Sequence, residues 1–159
     1  MIRVGQGFDF HAWGSEPANF ITLGGIRIPY HRSINAHSDG DLVLHALCDA
    51  LLGAIGLGDI GEHFPDSDAS YKGASSTVFL TRVLGLLREQ AWRIGNIDIT
   101  LVAESPKLSP YRPVMRTHIA DLLGVEESQL NVKATTMESR GCIGREEGIA
   151  AMVVVLIEN

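Results

Sequence analysis

Asp9 and His11 stand two positions apart at the end of a strand-like run that begins at Ile2. Residues i and i+2 of a strand project from the same face. A carboxylate and an imidazole therefore emerge side by side, which is half of a metal site. A surface Asp and His beside a turn would read the same way, because D-x-H alone carries little information. The segment His37-Ser38-Asp39-Gly40-Asp41, followed by His45 and Asp49, says more. Asp41, His45 and Asp49 are spaced i, i+4, i+8 and share one helix face. That face is either solvated or, given Leu42, Val43, Leu44, Leu47, Leu51 and Leu52 around it, buried. Buried charge needs partners. His45 then serves as a third ligand beside Asp9 and His11, a catalytic zinc pattern with an open fourth position, and Asp49 orients His45 from behind.

Further along, Gly58-Asp59-Ile60-Gly61 and Phe64-Pro65-Asp66-Ser67-Asp68 place aspartates on glycine-flanked loops. Such carboxylates bind polyol hydroxyls or a hydrated Mg²⁺, or simply serve turn chemistry. Lys107 sits between Pro106 and Pro110, a cation on a stiffened loop. Thr135-Thr136-Met137-Glu138 follows a strand, offering hydroxyls to phosphate and a carboxylate to a hard cation. Arg145, after Gly141 and Gly144, is a further anion-binding candidate or a solvated arginine.

These residues need a scaffold. The patterning predicts a strand over 2–10, then a hairpin of Phe20–Leu23 and Ile26–Pro29 about Gly24-Gly25. A helix over 41–55 follows, capped by Ser38 or Asp39 and ended by Gly56. Residues 59–70 read as loop, 75–92 as helix, 96–103 as strand, 112–123 as helix, and 130–135 and 149–157 as strands. The order implies an α+β or mixed α/β sandwich in one domain, 1–159, with helices covering a sheet. The final strand is apolar throughout, as a strand buried on both faces by helices or by a partner subunit would be.

Composition narrows the function classes. The chain has 159 residues, 45% of them apolar, enough for one core without disulfides. Its 13 Lys and Arg are scattered against 19 Asp and Glu, for a net charge of −6, which argues against nucleic acid. Cys48 and Cys142 make no disulfide framework. Ile149 to Ile157 spans nine residues, whereas a membrane helix needs ~20. No secretory apolar segment opens the sequence, so a reducing cytoplasm is the expected compartment.

Taken together, six blocks carry a resemblance. They are Gly5-Gln6-Gly7-Phe8-Asp9-Phe10-His11, Ala36-His37-Ser38-Asp39-Gly40-Asp41 with His45, Gly58-Asp59-Ile60-Gly61, Phe64-Pro65-Asp66, Ser105-Pro106-Lys107, and Asn131-Val132-Lys133-Ala134-Thr135-Thr136. In this order they resemble the 2-C-methyl-D-erythritol 2,4-cyclodiphosphate synthase family of the non-mevalonate isoprenoid pathway, from about residue 2 to the C-terminus. The resemblance implies a homotrimer whose sheets face a threefold axis, with helices outside and active sites between protomers. It implies ring closure of 4-diphosphocytidyl-2-C-methyl-D-erythritol 2-phosphate to a cyclodiphosphate, with loss of CMP. It implies zinc on Asp9, His11 and His45, magnesium or manganese on Glu138, and transition-state support from His37 and Thr136. The implied substrate contacts add Ser38, Asp59, Ile60, Gly61, Phe64, Pro65, Asp66, Ser67 and Asp68 around the sugar and methylerythritol. At the cytidine end they add Ala103-Glu104-Ser105-Pro106-Lys107-Leu108-Ser109, with Thr135 and Met137 beside the metals. Cys142 and Arg145 match positions lining an axial cavity reported in the family to take isoprenoid diphosphates. Gln6, Met137 and Cys142 depart from the family's usual His, Thr and Phe. A metal-dependent phosphohydrolase, or a non-catalytic nucleotide-binding module with a structural metal, are the competing classes.

Overall fold

A computed structural model describes residues 1–65, 67–71 and 73–159. The first strand, β1 (Ile2–Pro17), is longer than the patterning predicts. It pairs antiparallel with β7 (Gly148–Glu158) up to Ala12 opposite Gly148. Beyond that point it continues against β4 (Arg32–Ile34), where Trp13 faces Ile34 and Pro17 faces Arg32. The hairpin of β2 (Phe20–Leu23) and β3 (Ile26–Pro29) forms at the predicted place. Gly24 and Gly25 both take positive φ in its two-residue turn, the conformation that admits glycine most readily.

β5 (Arg93–Val102) runs antiparallel to β7 and parallel to β6 (Leu130–Thr135). The main sheet is therefore mixed, in the order β4-β1-β7-β5-β6, with β2-β3 apart. Three longer helices, α1 (Leu42–Ile55), α3 (Ser76–Glu89) and α4 (Arg112–Leu123), accompany two single turns, α2 (Ile60–His63) and α5 (Gly141–Gly144). No helix among the described residues is long and apolar enough to cross a membrane. The α+β class and helix-covered mixed sheet thus match the sequence reading.

α1 is the centre of the core. Leu42, Val43, Leu44, Leu47, Leu51 and Leu52 are fully buried. A helix apolar on nearly every side belongs inside, and α1 lies between β1 and β7 on one side and α3 on the other. Its approach to β1 is close because Gly5 and Gly7 lack side chains. A Cβ on Gly7 would collide with the carbonyl of Ala46, and one on Gly5 with that of Ala50. The same face of β1 carries Asp9 and His11, so this contact sets the distance from the strand to His45.

The opposite face of the sheet is left uncovered by this chain's own elements. β7 is not covered on both sides within one chain: Met152 and Val154 are 43% and 42% exposed. Val4 and Phe8 of β1, at 63% and 54%, complete the bare apolar strip. On β5 and β6 this face turns polar, where Asp98 accepts from Asn131 and from Lys133.

Candidate metal centre and substrate cleft

The N-terminus of α1 is built on Asp41 rather than on Ser38 or Asp39. Asp41 is the N-cap and accepts from the Leu44 N–H at 3.1 Å. Its two oxygens also take the Gly24 and Gly25 N–H groups at 2.8 and 2.6 Å. One carboxylate therefore starts the helix and clamps the β2-β3 turn to it. Burial pushes this carboxyl up to about 6 despite its backbone donors.

His45 follows one turn later and meets Asp9 and His11. Asp9 Oδ2 lies 3.2 Å from His45 Nδ1 and 3.0 Å from His11 Nε2. One donor atom from each of the three residues falls within 4.8 Å of the others. Burial alone would raise the Asp9 carboxyl, but hydrogen bonds and charge from His11 and His45 outweigh it and hold it well below the usual carboxylate range. Burial would likewise lower His45, and its bond to Asp9 instead raises it. Two imidazoles and an ionised carboxylate, converging and partly buried, suit a tetrahedral N/O-ligated cation. The buried Nδ1 of His11 has no hydrogen-bond partner among the described residues.

Asp49 does not orient His45. Both ring nitrogens of His45 are engaged elsewhere, Nδ1 with Asp9 and Nε2 with the hydroxyls of Ser38 and Ser76. Asp49 accepts from the Ile60 N–H at 2.7 Å, and Asp59, the N-cap of α2, accepts from Glu62 at 3.0 Å. The i+8 spacing carries Asp49 two turns along, to the foot of α2, where the two carboxylates hold its free N–H groups. Burial raises Asp49 above its ordinary value.

A cleft of about 770 Å³ opens over the cluster. Its lining includes His11, His37, Ser38, His45, Ile60, Gly61, Phe64, Pro65, Ser67 and Asp68, so most of the residues expected around the sugar and methylerythritol do meet. Asp66 lies outside the described residues. Asn35, Ala36, Ala69, Tyr71 and Phe79 also line the cleft and were not predicted. Phe79 reads in sequence as core, which it also is; it stacks near Phe64 at 4.8 Å between centroids.

The other expected residues lie apart. Thr135 ends β6 and Thr136, Met137 and Glu138 follow it, at the same end of the sheet as His11 but three strands from β1. Three steps of ~4.8 Å separate them by ~14 Å. Glu104 faces its own chain and accepts from the Met137 N–H at 2.7 Å. Ala103 and Leu108 are buried, so their side chains belong to the core rather than to a ligand. Ser105 and Pro106 are half-buried, while Lys107 and Ser109 are exposed. Cys142 is exposed, and Arg145 is already paired with Glu147 at 2.6 Å.

The sequence profile of the YgbB family matches residues 2–158. The 2-C-methyl-D-erythritol 2,4-cyclodiphosphate synthases of Thioalkalivibrio sulfidiphilus and Xylella fastidiosa are each 56% identical to this chain. The first alignment covers 99% of this chain and 98% of the relative; the second covers 98% and 88%. Among solved structures, the bifunctional IspDF from Campylobacter jejuni superposes with a TM-score of 0.93 at 43% identity. That match takes in 99% of this chain and 42% of the longer bifunctional one. IspF of Plasmodium falciparum, solved as a CDP complex, superposes with a TM-score of 0.85 at 36% identity over 98% of this chain and 95% of that one.

Proposed function

The chain belongs to the YgbB family, and from that premise we propose that it converts 4-diphosphocytidyl-2-C-methyl-D-erythritol 2-phosphate into 2-C-methyl-D-erythritol 2,4-cyclodiphosphate and CMP. The observation that carries the reading is the cleft. Three N/O donors converge beneath His37, Ser38 and an aspartate-bearing loop, in a chain 56% identical over its length to relatives named for that cyclisation. Three protein donors leave a tetrahedral ion one open position, which favours catalysis over a closed structural metal. The relatives' shared name favours cyclisation over hydrolysis.

Asp9, His11 and His45 would hold zinc, and Glu138 magnesium or manganese. Bound there, the two cations supply fixed positive charge against phosphate oxygens. The protein's own work is positional. The substrate's 2-phosphate is already a nucleophile, so no strong base is required. It attacks the β-phosphorus, the β–α phosphoric anhydride oxygen leaves with CMP, and the ring closes. Holding the substrate bent converts this into a well-oriented intramolecular step. Asp59, Ile60, Gly61 and the 64–68 loop take the methylerythritol and sugar hydroxyls, and the 103–109 loop takes cytidine through its exposed members. His37 and the Thr136 hydroxyl donate to charge developing in the transition state.

Thr136 and Glu138 stand too far along the sheet to serve the cleft of their own chain. We assign them to the cleft of a neighbouring copy in a homotrimer. The bare strip of Val4, Phe8, Met152 and Val154 supports that assembly. The two free thiols, one of them on an exposed turn, suit the cytoplasm.

Incubation with that substrate and Mg²⁺, followed by CMP release and ³¹P NMR, tests the reading. CMP with a cyclic product is expected. A linear phosphate product, or no turnover, would overturn it.

A further inference from the structure

The far side of the His45 ring holds a chain of hydrogen bonds whose proton directions can be deduced. Ser76 is fully buried, at the start of α3. Its hydroxyl donates to Asp39 Oδ1, and its oxygen lies 2.8 Å from His45 Nε2. Asp39 also accepts the Ser76 N–H at 2.9 Å through Oδ2 and the Asp41 N–H at 3.1 Å through Oδ1. An ionised carboxylate only accepts. The single hydroxyl proton of Ser76 is therefore spent on Asp39, and toward His45 the serine oxygen can only accept. Nε2 of His45 must then carry a hydrogen. Nδ1 faces the Asp9 carboxylate, to which it donates; a cation held between them would replace that proton and leave the one on Nε2 in place.

We propose that Ser76 and Asp39 are positioning residues that fix the proton on Nε2 of His45 and so reserve Nδ1 for the metal. The proposal rests on the metal assignment above. A ligand histidine commonly has its second nitrogen held by an outer partner that sets tautomer and ring angle. Here the nearer outer partner, Ser76, is a serine whose own direction is set by a carboxylate, while the Ser38 hydroxyl stands farther from Nε2, at 3.2 Å. Among the described residues His11 lacks any such partner at its Nδ1. Tautomer control thus falls on one of the two histidines.

The pair has a second attachment. Asp39 N–H donates to Ala74 O at 3.2 Å, and Gly73 N–H donates to His37 O at 2.8 Å. The segment after the substrate loop is therefore stitched to the same short run that orients His45.

The test uses the full-length protein loaded with ¹¹³Cd²⁺ or Zn²⁺ and labelled with ¹⁵N-histidine. The expected result is cadmium coupling to His45 Nδ1, with a slowly exchanging proton on Nε2. Ser76→Ala should lose that protected proton and bind zinc 10–100-fold more weakly in chelator competition. Ser76→Thr keeps the hydroxyl and should restore both. Coupling to Nε2 in the wild type would overturn the proposal, whatever the variants do. So would wild-type zinc affinity in a folded Ser76→Ala. If neither ion binds the wild-type protein at His45, the metal assignment itself fails. That result differs from a bound ion on the wrong nitrogen.

Discussion

Thr136 is where the proposed chemistry is most exposed to a single substitution. Within its own turn its hydroxyl oxygen accepts the Glu138 N–H at 3.3 Å. Valine keeps the shape and removes the donor. Thr136→Val should lower kcat by ~10²-fold with little change in KM, because a donor that strengthens only in the transition state is lost. The product should remain cyclic. Steady-state kinetics with ³¹P product analysis reads both, and an unchanged kcat would remove Thr136 from the mechanism. Asp41 gives a stability prediction of the opposite character. Its carboxyl sits at about 6 in the fold, against ~3.9 in an unfolded chain. Between those values the native state binds more protons than the unfolded one. Stability therefore falls as pH rises from about 4 through 6, by roughly 2–3 kcal/mol from this group. Asp41→Asn should lack that component. Urea unfolding of the metal-free proteins at pH 4.5 and 7 compares the slopes directly.

At the scale of elements, the metal centre depends on how closely α1 approaches β1. Gly7→Ala places a methyl against the Ala46 carbonyl, one residue from His45. The helix must move or tilt, at a cost of ~1–3 kcal/mol in stability. Zinc affinity should fall with it, although no ligand has changed. Chelator competition and denaturant unfolding on the same variant would report both, and normal affinity would show that the site tolerates the shift. The elements that position this site were largely legible in the sequence. The leucine-rich run after Asp41 is a strong local pattern, and the weak i+2 pair of Asp9 and His11 gains meaning only beside it and His45. β4, α2 and α5 were not legible. They are three or four residues long and exist because of partners: β4 because Trp13 and Pro17 lie beside it, α2 because Asp49 and Asp59 meet its N–H groups. The Ser76–Asp39 link was equally hidden. Its members are 37 positions apart, and the serine resembles any helix cap.

For the whole molecule, the decisive surface is the sheet face that α1 does not cover. Alternation along β1 hid it, since Val4 and Phe8 looked like ordinary strand residues. The unbroken apolar run of β7 signalled burial on both sides, and one chain supplies only one of them. Val154→Asp should convert the proposed trimer of about 3 × 17.2 kDa into folded 17.2 kDa monomers without turnover. Light scattering and circular dichroism would check mass and fold, and an active monomer would refute the shared site. The same bare strip also links thermal stability to dose. In the proposed trimer, a chain that hides Phe8 and Met152 against its copies is stabilised by mass action. Its melting temperature should climb as the protein is concentrated, and that of the Val154→Asp variant should stay flat across the dilution series.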